Sequence, residues 1–193
     1  MITESIRKKT EFIINFIAKP FIYFHFPNMI SFLGVFIIII LFPMLKGGHF
    51  YISAMIILLN GLLDVIDGAV ARATGKSSAF GKLIDRTLDK VSDGAILAAY
   101  IVYNLVSLPL GIYTMIVMFL ATNVSSNIEA ILHLKISDAV SMRFVRMVVL
   151  VSFTILQQFN VMFIILAIVS TYAFFYRIKI AYSMYYNKKV RNT

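Results

Sequence analysis

The chain has 193 residues, 60% of them hydrophobic and only 14% charged, with a mean hydropathy of +0.88 and a formal net charge of +9. A water-soluble domain of this size cannot hide so much apolar surface, so lipid is the expected solvent. The absence of cysteine excludes disulfides and thiolate-ligated metals.

Residues 2–19, "ITESIRKKTEFIINFIAK", read as an amphipathic helix on the membrane surface. Ile6, Phe12, Ile13, Phe16 and Ile17 would face lipid, and Arg7, Lys8 and Lys9 the head groups. Scattered charge and the lack of a small-residue cleavage site set this stretch apart from a signal peptide. Six apolar segments follow, at roughly 29–45, 50–73, 81–105, 109–133, 140–158 and 160–180, each close to the length of about 20 residues that crosses a bilayer. The breaks "KGGH", "TGKSSAF", "VSLP", "KISD" and "QQFN" are short. The expected fold is therefore all-α: a single membrane domain over residues 1–193, with six transmembrane helices behind a surface helix.

Basic residues set the orientation. Seventeen of the 18 lysines and arginines fall before span 1, around the 2–3 and 4–5 connections, or at the end of the chain, and only Lys46 lies on the other side. Both termini and the 2–3 connection are expected in the cytoplasm. Because these charges are divided among four edges, nucleic-acid binding explains them poorly, whereas the tail "NKKVRNT" suits anionic head groups.

Five of the nine acidic residues crowd into Leu62 to Gly94. At about 100° per residue on a helix, Asp64, Asp67, Gly68 and Ala71 share one face. Gly81, Asp85, Asp89 and Asp93 follow at four-residue steps on the next helix. With a rise of about 1.5 Å per residue, Asp67 and Asp85 lie roughly 6–8 Å deep and Asp64 and Asp89 roughly 12 Å deep. Four facing carboxylates in low-dielectric surroundings must be protonated, paired with Arg or Lys, or bound to metal. An all-oxygen donor set suits Mg²⁺ or Mn²⁺, and two divalent ions would balance four carboxylates. Asp93 would orient a metal ligand or bond to a neighbouring helix. Glu129 would pair with Lys135 or Arg143.

The pattern Asp64-x2-Asp67-Gly68-x2-Ala71-Arg72-x8-Gly81-x3-Asp85-x3-Asp89 resembles the signature of the CDP-alcohol phosphotransferases at every position. That resemblance implies transfer of the substituted phosphoryl group of a CDP-alcohol to an acceptor hydroxyl, with release of CMP. It implies that Asp64, Asp67, Asp85 and Asp89 hold two divalent cations, that Asp89 is the general base, and that Asp64, Gly68, Ala71, Arg72 and Gly81 line the nucleotide site. It also implies a homodimer.

Within the family, "FGKLIDRTLDKVSDG" looks most like the phosphatidylinositol phosphate and archaetidylinositol phosphate synthases. On that likeness the donor is CDP-diacylglycerol or CDP-archaeol and the acceptor an inositol phosphate, whose own phosphate would meet Arg143, Arg146 and Arg177. The chain departs from that branch at Arg86, where Ser is usual, at Lys90, where Arg is usual, and at Met142, where Glu often stands. Glycerol 3-phosphate as acceptor, or a soluble CDP-inositol donor, are the alternatives within the family. A cation transporter is the alternative of another class, because intramembrane carboxylates also mark ion paths. It is disfavoured by the nearly apolar outer halves "YISAMIILLN" and "ILAAYIVYNL".

Overall fold

A computed structural model describes residues 27–73, 79–132 and 139–191. The expected surface helix at 2–19 lies outside them, as do the 74–78 and 133–138 connections. The described residues form six helices and no strand: α1 (Pro27–Lys46), α2 (Phe50–Ala73), α3 (Ala79–Val102), α4 (Leu108–Leu132), α5 (Ala139–Ile155) and α6 (Phe159–Arg191). Each packs closely on two others, in the closed circuit α1–α2–α5–α6–α4–α3–α1.

Three turns at one end of this ring set the boundaries, and all use the same device. After α1, His49 N–H bonds to the Met44 carbonyl and Gly48 N–H to that of Leu45. After α3, Leu105 and Asn104 bond back to Tyr100 and Ile101. After α5, Gln158 and Gln157 bond back to Phe153 and Thr154. This is the Schellman closure, which needs a left-handed residue just past the helix. Gly48 (φ +71°), Asn104 (φ +54°) and Gln157 (φ +56°) supply it. These turns end α3 at Val102 and α5 at Ile155, three residues earlier than the expected 105 and 158. At the other end α6 runs on past the expected 180 to Arg191, since no glycine or proline interrupts it.

Of the three left-handed residues only Gln157 has neither glycine's freedom nor asparagine's tolerance of that region. Gln157→Gly is therefore expected to stabilise the protein by up to about 1 kcal/mol, and Asn104→Gly by less. Thermal melting in detergent checks this order.

The apolar core sits in the half of the ring nearest those turns. Ile38, Leu41, Leu45, Ile57, Leu97, Tyr100, Met162, Phe163 and Leu166 are all essentially buried there. Tyr100 packs against the rings of Phe159 and Phe163, and its hydroxyl bonds to Thr154 Oγ1 at 2.5 Å, tying α3 to α5 across the ring. Lipid tails are as apolar as leucine, so association in a membrane depends on close packing and small residues. Buried Ser53, Ala54, Ala99, Ala121, Ala167 and Ser170 serve that purpose. Several hydroxyls are satisfied within their own helix, as Thr114 is by the Leu110 carbonyl and Ser53 by that of His49.

The outward surface is apolar, with Phe36, Ile39, Met55, Phe119, Ile131, Ile168 and Phe175 each more than half exposed. Such a belt identifies a membrane protein. Three segments are long and apolar enough to cross a bilayer: Phe50–Asp67, Leu108–Ile131 and Phe159–Tyr186. Phe32–Lys46 and Phe144–Ile155 are shorter apolar stretches. α3 is 24 residues long but carries Lys82, Asp85, Arg86, Asp89, Lys90 and Asp93 within its first 15 residues. Arg86, Lys90 and Asp93 have their partners on other helices, as the site shows.

Candidate metal and transferase site

The half of the ring away from the turns is where the carboxylates meet. α2 and α3 are not among the closely packed pairs; α1 packs on both of them. The close approach of α1 depends on Gly34, where an added Cβ would lie 3.1 Å from Asn60 Nδ2. Asn60 donates that N–H to the Gly34 carbonyl at 3.1 Å, linking α2 to α1. The gap left between α2 and α3 is an open cleft lined by Gly34, Asn60, Leu63, Asp64, Asp85, Leu88, Asp89 and Ser92.

Into this cleft Asp64 of α2 and Asp85 and Asp89 of α3 each bring one carboxylate oxygen, all within 4.8 Å of one another. The four-residue step on α3 puts Asp85 and Asp89 on one face, and Asp64 reaches both from across the gap. An Mg²⁺-type ion holds oxygen ligands at about 2.1 Å, so opposite ligands lie roughly 4.2 Å apart. Small side-chain rotations therefore bring these three oxygens to cation distance. The donor set is hard, anionic and all-oxygen, and it fits a divalent metal ion.

Asp67, expected as a fourth ligand, is 4% exposed and lies outside this group of three. It is three residues further along α2, so it is displaced by most of a turn toward the open end. Gly81 stands one turn before Asp85 and is partly exposed. Gly68, Ala71 and Arg72 lie on α2 and Arg143 on α5, but their surroundings fall outside the described residues.

Several nearby charges have partners on other helices. Arg86 is paired with Glu129 of α4, and Lys90 donates to Asn123 Oδ1 of α4 at 3.2 Å. Glu129 thus meets Arg86, where Lys135 or Arg143 was expected, because α3 and α4 pack side by side. Asp93 joins Arg146 of α5 at 3.2 Å, which makes it a link between helices. Arg177 is 4% exposed and donates through Nη1 to the Ala121 carbonyl of α4 at 2.7 Å.

Sequence reasoning passed over Asn60, Ser92 and Gly34. Asn60 carried a readable signal: it is the one amide in "YISAMIILLN" and stands one turn before Asp64. A polar side chain in an apolar span is costly unless it has a task.

Comparison with known proteins bears on the whole bundle. The family model for CDP-alcohol phosphatidyltransferase matches residues 24–174. An archaetidylinositol phosphate synthase of Pyrococcus horikoshii is 38% identical over 76 residues, covering 37% of this chain and 38% of that protein. A phosphatidylinositol phosphate synthase of Mycobacteroides abscessus is 41% identical over 61 residues, covering 32% of this chain and 26% of that protein. The aligned part is thus well under half the length of these relatives. The crystal structure of Mycobacterium tuberculosis phosphatidylinositol phosphate synthase with CDP-DAG bound superposes with a TM-score of 0.68 at 19% identity, covering 88% of this chain and 94% of that one. Its apo form gives a TM-score of 0.71 at 20% identity, covering 84% and 93%. The family match spans the ring and takes in both aspartate-bearing helices, and on it the chain belongs to the CDP-alcohol phosphatidyltransferase family.

Proposed function

We propose that the protein transfers the phosphatidyl-type group of a CDP-activated lipid, CDP-diacylglycerol or CDP-archaeol, to the hydroxyl of an inositol phosphate, releasing CMP in phospholipid biosynthesis. The observation that carries this reading is the convergence of Asp64, Asp85 and Asp89 across an open cleft between α2 and α3. The inositol phosphate branch is supported by relatives that are named for phosphatidylinositol phosphate and archaetidylinositol phosphate synthesis.

In this reading two divalent cations, Mg²⁺ or Mn²⁺, are held by Asp64, Asp67, Asp85 and Asp89. Bound there, they would neutralise the diphosphate and stabilise charge developing on the transferred group. The protein's own part is positioning and proton transfer. Asp89 takes the proton from the acceptor hydroxyl as the new P–O bond forms and the bond to CMP breaks. Gly68, Ala71, Arg72 and Gly81 line the cytidine diphosphate, small residues letting it lie close to the backbone. Leu63 and Leu88 in the cleft wall limit water at the reacting phosphorus. Arg143, Arg146 and Arg177 supply positive charge for the acceptor's phosphate.

The cleft faces the cytoplasm, where a water-soluble acceptor can meet a lipid donor in the bilayer, and the enzyme works as a homodimer. The transporter reading is disfavoured by the other half of the ring, which is filled by Tyr100, Phe163, Leu97 and Leu41.

The experiment that tests the acceptor offers inositol 1-phosphate, glycerol 3-phosphate, serine and inositol separately to the purified protein with CDP-lipid and Mg²⁺. Lipid product is expected with inositol 1-phosphate alone. Product with glycerol 3-phosphate alone would move the protein to another branch of the family.

A further inference from the structure

Asp93 extends the stripe of Asp85 and Asp89 by one more turn, but it does not line the cleft. Its Oδ2 lies 3.2 Å from Nη1 of Arg146, and the Arg146 side chain is only 13% exposed. The next residue of α5, Met147, lies against Gly61 of α2. Consecutive residues of α5 therefore touch both aspartate-bearing helices, although α5 packs closely on α2 and not on α3. Arg146 is thus held by Asp93, one turn beyond Asp89 on α3.

An arginine in this place has a competing option. Asp89 is one turn from Asp93, about 6 Å along the helix, and a flexible guanidinium would be drawn to the more crowded carboxylates. Asp93 occupies one Nη of Arg146 and leaves the other donors of its five N–H groups for an anion. Holding a charged donor in place before the ligand arrives lowers the ordering cost of binding.

We propose that Asp93 is a positioning residue for acceptor recognition: it holds Arg146 one helical turn beyond Asp89 so that its remaining N–H groups meet the phosphate of a phosphorylated polyol. The inference rests on the reading that Arg146 binds that phosphate. Asp93 touches neither substrate; it acts through the arginine.

The test measures KM and kcat for the acceptor, with CDP-lipid binding as a check on folding, in Asp93→Asn, Asp93→Glu, Arg146→Ala and the double variant Asp93→Asn/Arg146→Ala. Asp93→Asn is expected to raise acceptor KM roughly 10- to 100-fold, the range for losing a hydrogen bond to a charged group. Its kcat should change much less, Asp93→Glu should recover part of the loss, and the double variant should be no worse than Arg146→Ala alone. If Arg146→Ala raises acceptor KM but Asp93→Asn does not, the positioning role is overturned while the role of Arg146 stands. If Arg146→Ala leaves acceptor KM unchanged, the phosphate reading of Arg146 fails and the inference falls with it. Losses in both variants that track lost CDP-lipid binding would make the pair a structural brace and overturn the proposal.

Discussion

Asp89→Asn is expected to lower turnover by about 10²–10⁴-fold, the usual contribution of a positioned general base. Asparagine keeps the size of the side chain and one acceptor oxygen, so the packing of α3 should survive. It loses the ability to take a proton. Asp89 is one of three residues whose carboxylate oxygens gather within 4.8 Å, so the variant would also weaken the proposed metal site. The two effects separate experimentally. A weakened ligand is compensated by more Mg²⁺, whereas a missing base is not. The expected result is a low kcat that saturating Mg²⁺ does not restore, with CDP-lipid binding largely intact. Near-normal turnover would remove Asp89 as the base.

The second large effect concerns the cluster itself. Three carboxylate oxygens within 4.8 Å of one another gain on binding a cation. Added Mg²⁺ should raise the melting temperature of the unsubstituted protein and leave that of Asp64→Asn almost unchanged. A ligand at 100 times its dissociation constant stabilises by about 2.7 kcal/mol, a shift readily seen in a detergent melt. Activity should fall by roughly 10²–10³-fold, the scale of losing one preorganised electrostatic contact in a transition state. Equal Mg²⁺-dependent shifts in both proteins would mean that the cation binds elsewhere.

Much of this was legible in the sequence because a helix converts spacing into geometry. The four-residue steps from Gly81 to Asp93 fix one face of α3, and short breaks between apolar runs give six helices in place, although α6 runs to Arg191, well past its expected end at 180. Boundaries were harder at the turn end. The Schellman closures at Asn104 and Gln157 use residues that do not announce a left-handed turn, whereas Gly48 does.

The partners of the outer charges were not legible either. Asp93 and Arg146 meet because α5 lies across the ring from α3, and Glu129 meets Arg86 because α4 lies beside it. Such pairings depend on the circuit of helices, which spacing within one helix cannot give. The wedge of α1 through Gly34 and Asn60 is likewise a product of packing, although an amide in an apolar run was a clue to it.

The central claim is that the carboxylate cleft carries out metal-dependent transfer from a CDP-lipid. CMP release by the purified protein, given CDP-lipid, inositol 1-phosphate and Mg²⁺, tests it most directly. CMP is expected to appear only with acceptor present, to stop on adding EDTA, to return with excess Mg²⁺ or Mn²⁺, and to be lost in Asp64→Ala. CMP release that persists in EDTA or in Asp64→Ala would contradict it. So would no release with either diacyl or archaeol donors, combined with cation flux through the protein in liposomes.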